Sequence, residues 1–221
     1  MHVAFIPDGN RRWAKKNNIN LRDAYKKGIE HFSKVLQWSK ELGVNEVSIW
    51  AISYDNYFNR PKEEIDVLFS LFEEYYQTYK DKIEEIIKKY PEIENTRIYI
   101  GGYIEVLEEK YRKYAEEINN RIVKDEKYRI NFLVIYNGRI EIIKALEKMK
   151  SGFSLEDSLM LNRYPDIIIR TGGRVRTSGF LPIQSEYSEW YFLEKLWPEF
   201  DKEDYIKILE DFQTRQRNFG K

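Results

Sequence analysis

The sequence predicts an α/β protein, with a mostly parallel central sheet flanked by helices. Short runs rich in Val, Ile and Phe alternate with longer amphipathic segments over the whole chain, which is typical of strands joined by helical crossovers. The 221 residues are enough for one domain with a sizeable core. No linker, internal repeat or low-complexity tract interrupts the alternation, so we expect a single domain over residues 1–221.

In the first half of the chain, the pattern predicts two strands and two helices. Residues 2–6 form an apolar run that ends at a Pro-Asp-Gly-Asn turn, and residues 46–53 form a second run that opens into a polar turn over 54–60. Apolar residues three or four apart predict helices over 21–42 and 62–89, the latter being the longest.

The second half repeats the alternation. Strands are predicted over residues 97–100, 130–136 and 166–169, and helices over 105–124, 140–149 and 203–217. In sheets of this kind, ligands bind beyond the carboxyl ends of the strands. We therefore look for chemistry where these runs stop.

Composition excludes several classes of protein. Lys plus Arg equals Asp plus Glu at 37 each, so no face is expected to bind nucleic acid. With no cysteine and two histidines, disulfides, thiolate sites and histidine-based triads or zinc sites are not expected. The first residues lack the pattern of a signal peptide, and no apolar run approaches the roughly 20 residues of a spanning helix. We expect a cytoplasmic protein.

Three strand ends carry dense polar clusters, at residues 8–12, 53–60 and 170–178, which we expect to converge. The first combines Asp8 and Gly9 with a pair of arginines, which suits a phosphate group. A carboxylate would repel phosphate unless a divalent cation lay between them, so Asp8 is a candidate ligand of Mg²⁺. The alternative is a tight Asp-Gly turn with solvated arginines.

The third cluster, residues 170–178, holds three arginines, two glycines and three hydroxyl side chains. Glycines let the backbone approach an anion, and arginines bind one through two hydrogen bonds. Two such strand ends suggest two diphosphate sites, although a glycine-rich surface loop would also account for the composition.

Two further features have open interpretations. Glu189 stands among aromatic residues, where it either pairs with an arginine or holds a metal. A stripe of aromatic residues with helical spacing is either ordinary core or the wall of an apolar tunnel; its members are Phe69, Phe72, Tyr75, Tyr76 and Tyr79.

The motifs together resemble those of the cis-prenyltransferases, the undecaprenyl diphosphate synthase family. Residues 2–14 resemble the opening H-V-A-x-I-M-D-G-N-x-R-W-A of that family, and residues 51–61 resemble its A-F-S-x-E-N-W-x-R-P with one extra residue before the arginine. Further matches follow in order over residues 131–139, 166–180, 181–197 and 215–220. The resemblance implies Mg²⁺-dependent condensation of isopentenyl diphosphate with an allylic diphosphate (farnesyl or geranylgeranyl diphosphate), and an internal hydrophobic tunnel.

The resemblance also implies a role for each matched residue. Asp8 and Glu189 would be metal ligands, and Asp8, Asn56 and Ser53 would be catalytic. The allylic diphosphate would contact Gly9, Asn10, Arg11, Arg12, Trp13, Arg22, Tyr25, Tyr57 and Arg60. Isopentenyl diphosphate would contact Arg170, Arg176, Thr177 and Ser178.

The sequence departs from the family pattern at some positions. Tyr25 stands in place of a usual His, Arg174 in place of Glu, and Asn137 in place of Gly. The small Ala51 suggests a medium or long product. The product would be the precursor of a lipid glycan carrier, and the family also implies a homodimer with peripheral membrane contact through that lipid. The alternative is a non-catalytic partner subunit of a heteromeric enzyme.

Overall fold

The computed structural model of the protein describes residues 1–216. Its strands are β1 (His2–Ile6), β2 (Glu46–Ser53), β3 (Thr96–Gly102), β4 (Tyr128–Tyr136), β5 (Ile167–Arg170) and β6 (Glu189–Phe192). Its helices are α1 (Asn10–Asn17), α2 (Leu21–Glu41), α3 (Tyr54–Asn59), α4 (Lys62–Lys89), α5 (Glu109–Asn119), α6 (Gly138–Met149), α7 (Leu155–Ser158) and α8 (Lys202–Thr214). None of the helices within residues 1–216 combines the length and the apolar character needed to span a bilayer.

The six strands form one sheet with the order β3-β4-β2-β1-β5-β6. β1 pairs with β5, β5 with β6, and β3 with β4, and all three pairings are parallel. The predicted α/β class with a parallel central sheet flanked by helices is confirmed. The chain comprises two compact units, residues 1–48 with 163–216 and residues 49–162.

The first unit has an aromatic core around β1. The ring of Phe5 meets those of Trp197, Phe200 and Tyr205 edge-on, with centroids 5.7–6.0 Å apart. Trp197 and Phe200 stack on each other, and His31 of α2 meets Trp197 edge-on at 5.1 Å. These side chains are buried, so this core fixes where β1 ends.

The second unit has its core between β2, α4 and β4, where Ile52, Ile65, Phe69, Leu107 and Ile135 pack together. The aromatic stripe of α4 faces α5. Phe69 lies 4.9 Å from Tyr111, and Tyr76 stacks on Tyr114 at 4.0 Å, measured between ring centroids. The stripe therefore forms a helix–helix contact in this unit, as the core interpretation predicts. The hydrophobic tunnel stays a prediction.

Several sequence-based assignments were wrong or incomplete. Two helices, α1 (residues 10–17) and α7 (residues 155–158), were not predicted: α1 is polar, with Ala14 its one buried residue, so no apolar period marked it, and α7 has only four residues. Residues 54–59 form α3 instead of a polar turn, because the Ser53 hydroxyl caps the Asn56 N–H at 3.1 Å. The helix predicted over 105–124 is limited to α5, and β6 was not predicted. The last helix, predicted over 203–217, ends earlier, at Thr214, because Arg215 is extended; residue 217 itself lies outside the described residues.

Candidate active site

The turn after β1 fixes the backbone of Asp8 with three hydrogen bonds. Its N–H donates to the Ile6 carbonyl at 2.9 Å. Its own carbonyl accepts from the Trp197 N–H at 3.0 Å and from the Thr171 hydroxyl at 2.8 Å. Gly9 follows with φ 122°, a backbone conformation that favours glycine, and a Cβ there would lie 2.9 Å from Leu196 Cβ. The local chain therefore holds the Asp8 side chain in a defined direction.

The Asp8 carboxylate lies between two guanidinium groups. Oδ1 accepts from Arg12 Nη2 at 3.0 Å, and Oδ2 accepts from Arg170 Nη2 at 3.1 Å. The Arg170 side chain is 5% exposed, and this burial lowers its pKa, while the contact with Asp8 acts in the opposite direction. Asp8 thus supplies the counter-charge that lets Arg170 stay ionised in a buried position.

Arg170 also organises the glycine-rich loop that follows β5. Its Nη1 donates to the Arg176 carbonyl at 2.7 Å and to the Ser178 hydroxyl at 2.8 Å. Within this loop Gly172 has φ 88°, and a Cβ there would lie 2.5 Å from Arg12 Nη2. The loop and the Asp8 turn therefore meet at Arg12, and only glycine lets them approach so closely.

The resulting cluster carries more positive than negative charge. Arg12, Arg170 and Arg176 contribute three guanidinium groups, and Arg176 lies near enough to Arg170 to oppose its ionisation. Asp8 is the one carboxylate paired with them among the described contacts. α1 begins beside this cluster, and its N-cap, Gly9, offers no side-chain acceptor to the first amide groups. Excess cations beside a helix N-terminus favour an anion such as phosphate.

The remaining residues predicted to bind the allylic diphosphate in this unit lie on α1 and α2. Asn10 begins α1 with its Oδ1 atom buried, and Arg11 is exposed. Trp13 is half-buried and Tyr25 is buried. Arg22 is exposed on the first turn of α2.

A second set of predicted residues lies in the unit of residues 49–162, at the end of β2. Ser53 caps α3, which carries Asn56 and Tyr57, and burial raises the pKa of the Tyr57 hydroxyl. Arg60 Nη1 lies 3.0 Å from Oε1 of Glu64, a carboxylate whose side chain is 4% exposed. Sequence reasoning missed Glu64, although its spacing of four residues from Arg60 was a usable signal.

Glu189 stands at the start of β6, opposite Ile167 of β5, whereas Arg170 ends β5 opposite Phe192. Three residues of strand correspond to about 10 Å along the strand direction. Glu189 therefore lies near the amino ends of β5 and β6, whereas Arg170 lies at their carboxyl ends. Its carboxylate accepts a hydrogen bond from Arg215 Nη1. Residues 1–216 contain no group of three or more carboxylates or histidines that could hold a metal together. Within the described chain, Glu189 and Asp8 are not brought together.

These features can be set beside known proteins. The sequence model described as "Putative undecaprenyl diphosphate synthase" matches residues 6–220. The chain belongs to the undecaprenyl diphosphate synthase family. This cis-prenyltransferase is 37% identical to the geranylgeranyl-diphosphate-specific tritrans,polycis-undecaprenyl-diphosphate synthase of Pyrobaculum aerophilum, over 100% of this chain and 95% of that protein.

Two further relatives support the assignment. An isoprenyl transferase of Aquifex pyrophilus is 35% identical over 100% of this chain and 95% of its own length. The crystal structure of lavandulyl diphosphate synthase from Lavandula x intermedia, in complex with dimethylallyl diphosphate, superposes with a TM-score of 0.86 at 26% identity. That match covers 100% of this chain and 98% of the other.

The cis-prenyltransferase described here is therefore a chain-elongating prenyl transferase, an enzyme of isoprenoid synthesis. Its relatives are named as synthases and transferases, which favours the enzyme over a non-catalytic partner subunit. Family members use a divalent metal and isoprenyl diphosphate substrates. The motif match that ends at residue 220 extends beyond the described residues.

Proposed function

We propose that this enzyme condenses isopentenyl diphosphate with farnesyl or geranylgeranyl diphosphate to give a longer cis-polyprenyl diphosphate, the precursor of a lipid glycan carrier. Several relatives are named geranylgeranyl-diphosphate specific, which supports the longer primer. The observation that carries the proposal is the position of the Asp8 carboxylate between Arg12 and Arg170, beside two glycine-containing turns. We further propose that residues 1–221 act as one domain, since the family model spans nearly all of them.

We assign the allylic diphosphate to the turn and first helix after β1. There Gly9, Asn10, Arg11 and Arg12 would surround it, at the N-terminus of α1, where the helix dipole favours negative charge. The other proposed contacts are Trp13, Arg22, Tyr25, Tyr57 and Arg60.

Isopentenyl diphosphate is assigned to the loop after β5. The exposed Arg176 side chain and the hydroxyls of Thr177 and Ser178 are its proposed donors. Arg170 bonds the loop at two points through Nη1, so it would fix the loop, while its Nη2 would contact the diphosphate.

The donor set at Asp8 fits Mg²⁺, because this ion is commonly bound by one or two carboxylates together with substrate phosphate oxygens and water. Asp8 would hold the cation, which supplies neutralisation of the departing diphosphate. Both Asp8 oxygens accept from arginines in the described structure, so these guanidinium groups would transfer to phosphate oxygens when substrate binds. Glu189 is the second proposed ligand; for this role its bond to Arg215 has to break.

The reaction itself would proceed by loss of diphosphate from C1 of the allylic substrate and bond formation to C4 of isopentenyl diphosphate. A proton then leaves C2, which places the new double bond. Arg11 and Arg12 would stabilise the leaving diphosphate. Ser53 and Asn56 are proposed to relay this proton to the released diphosphate, with the Ser53 oxygen taking it up as the hydrogen of its hydroxyl passes on; the Ser53 oxygen is oriented by the Asn56 N–H, from which it accepts.

A product assay tests this function. Purified enzyme, radiolabelled isopentenyl diphosphate and Mg²⁺ should give chains extended from geranylgeranyl or farnesyl diphosphate, and chelation by EDTA should stop the reaction. Asp8→Ala should lower the rate by about a thousandfold, a loss of roughly 4 kcal/mol in transition-state stabilisation. The matched control is Asp66→Ala, which removes an exposed carboxylate of α4 and should leave the rate unchanged. Full activity of Asp8→Ala would refute the metal role.

We also propose a homodimer, cytoplasmic and in peripheral contact with the membrane through its lipid product. Support for the dimer comes from an exposed apolar stripe on and just after α6: Ile142, Ile143, Leu146 and Met149 lie on the helix, and Phe153 lies in the turn that follows it. Exposed apolar stripes of this kind are typical of surfaces that contact another protein or a membrane.

Sedimentation measures the dimer directly. Leu146, which is 55% exposed, should be replaceable by Glu without loss of folding, and Leu146→Glu should shift the protein from dimer to monomer. The control is Ile122→Glu, since Ile122 is 84% exposed and lies outside the stripe. A dimer that tolerates Leu146→Glu at micromolar concentration would exclude α6 as its interface.

A further inference from the structure

Gly28 of α2 has a neighbour that leaves no room for a side chain. A Cβ built on Gly28 would lie 2.6 Å from Asn10 Oδ1 and 3.3 Å from Asn10 Cγ. The Asn10 amide is held on its other side, where Nδ2 lies 3.4 Å from the Pro7 carbonyl. Any side chain at position 28 must therefore displace the Asn10 amide, which stands at the start of α1 in the candidate site.

Trp197 connects this glycine to Asp8. Its indole N–H donates to the Gly28 carbonyl at 3.0 Å, and its backbone N–H donates to the Asp8 carbonyl at 3.0 Å. The residue is 1% exposed and packs against Phe5, His31 and Phe200, so it cannot shift without disturbing this core. One rigid side chain thus sets the distance between the Asp8 turn and α2.

We propose that Gly28 is a positioning residue of the reaction, with Trp197 as its anchor. The missing side chain at position 28 determines where the Asn10 amide lies, and Trp197 fixes Gly28 relative to Asp8. The inference rests on the proposed binding of the allylic diphosphate by residues 9–12. It adds a residue of α2 that touches no substrate and yet sets the geometry of that site.

The helix propensity of glycine argues against a purely structural role for Gly28 in α2. Gly in a helix interior costs about 1 kcal/mol relative to Ala. Gly28→Ala would therefore stabilise α2 if space allowed, and the helix offers no reason of its own for glycine at this position. The contact with Asn10 supplies the reason.

Calorimetric titration with geranylgeranyl diphosphate, without isopentenyl diphosphate, measures binding of the allylic substrate alone. We expect Gly28→Ala to raise its dissociation constant about tenfold, since small misplacements in such sites reduce activity by up to about a hundredfold. In steady-state assays KM should rise for the allylic substrate and stay within twofold for isopentenyl diphosphate. The matched control is Ser33→Ala, an exposed position of the same helix, with unchanged binding expected.

A double-mutant cycle identifies the contact itself. In the background of Asn10→Ala, Gly28→Ala has nothing to displace and should cause less than a twofold further change in binding. If Gly28→Ala fails to fold alone, recovery of folding in the double variant supports the contact, and continued misfolding refutes it. Equal effects of Gly28→Ala in both backgrounds would also refute the proposal.

Trp197→Phe tests the anchor, because it removes the indole N–H and keeps an aromatic ring. Like Gly28→Ala, it should weaken binding of the allylic diphosphate, whereas Trp38→Phe, which alters the same aromatic cluster without a bond to Gly28, should not.

Arg12→Ala distinguishes failure of the positioning role from failure of the assigned diphosphate site. If Arg12→Ala weakens binding and Gly28→Ala does not, only the positioning role fails; if neither does, the assigned diphosphate site fails as well.

Discussion

Two arginine–carboxylate pairs lie after the ends of strands in this protein, and they differ in charge balance. After β1 and β5, Asp8 is shared by Arg12 and Arg170, and its side chain is 30% exposed. After β2, Arg60 pairs with Glu64 across one helical turn, and the Glu64 side chain is 4% exposed. The first group has an excess of positive charge around a partly exposed carboxylate, whereas in the second one arginine contacts a carboxylate that is almost fully buried.

This difference indicates that the group around Asp8 can bind an anion, whereas the Arg60–Glu64 pair stabilises the fold. Excess guanidinium charge at a partly open carboxylate favours phosphate and a bridging cation. The Glu64 carboxylate is almost fully buried beside Arg60, and loss of one partner of such an ion pair lowers stability. On this basis Arg60 would reach a diphosphate only from a position that Glu64 fixes.

Replacing each carboxylate by its amide gives the sharpest test of this comparison. Asp8→Asn should reduce turnover by about a thousandfold, because the metal ligand is lost. Binding of the allylic diphosphate without metal should be as tight as before or tighter, since the arginines lose their counter-charge. A turnover assay and calorimetric titration with the allylic diphosphate, on the same preparation, measure the rate and the affinity.

Glu64→Gln should lower stability more than it lowers turnover. It leaves the Arg60 charge without its buried partner and should lower the free energy of unfolding by about 3 kcal/mol. Turnover of the folded fraction should fall less than tenfold. Urea unfolding and the same assay measure the two effects. If Glu64→Gln abolishes turnover with unchanged stability, or Asp8→Asn mainly lowers stability, the distinction between the two pairs is wrong.

An effect of pH on stability is also expected, and it concerns the unit that contains Asp8. Burial lowers the pKa of His2 to about 4 and that of His31 to about 4, from an ordinary value of 6.5. The unfolded chain therefore binds more protons than the folded chain between pH 4 and 6.5. Stability should fall as pH decreases through this window, by up to about 1.4 kcal/mol per pH unit for each histidine.

Unfolding by urea at pH 7.5, 6 and 5 measures this slope. His31→Phe keeps a ring against Trp38 and Trp197 but cannot titrate, so its stability should fall less steeply with acid. An unchanged slope would exclude His31 as a contributor. The result shows how much of any loss of activity at acidic pH comes from unfolding.

Hydrophobic periodicity predicted the long elements well. β1, β2 and α4 have the bounds that the sequence predicted, because each has a clear apolar pattern and a turn or proline at its end. α1 and α3 were missed for a physical reason: they are short and polar, and their helical form depends on Gly9 and Ser53 as N-caps. β6 has four half-buried residues, too few for an alternating pattern to be recognised.

For the site, the sequence identified residue types but not their partners. The contact of Asp8 with Arg170 joins residues 162 positions apart, and the link from Trp197 to Gly28 spans 169. No local pattern encodes such pairs. The role of Glu189 was left between an arginine partner and a metal, and its bond to Arg215 supports the first in the described chain.

Arg170 has one more consequence for the proposed binding of isopentenyl diphosphate by the loop that follows it. The loop over residues 171–179 is largely exposed, with Val175 78% exposed, yet the Arg170 guanidinium ties its far end to the Arg176 carbonyl and the Ser178 hydroxyl. Immobilising a flexible segment on binding typically costs about 0.5–1.5 kcal/mol for each ordered side chain. Because this segment is already restrained before any ligand arrives, that entropic penalty is reduced, and more of the interaction energy becomes affinity.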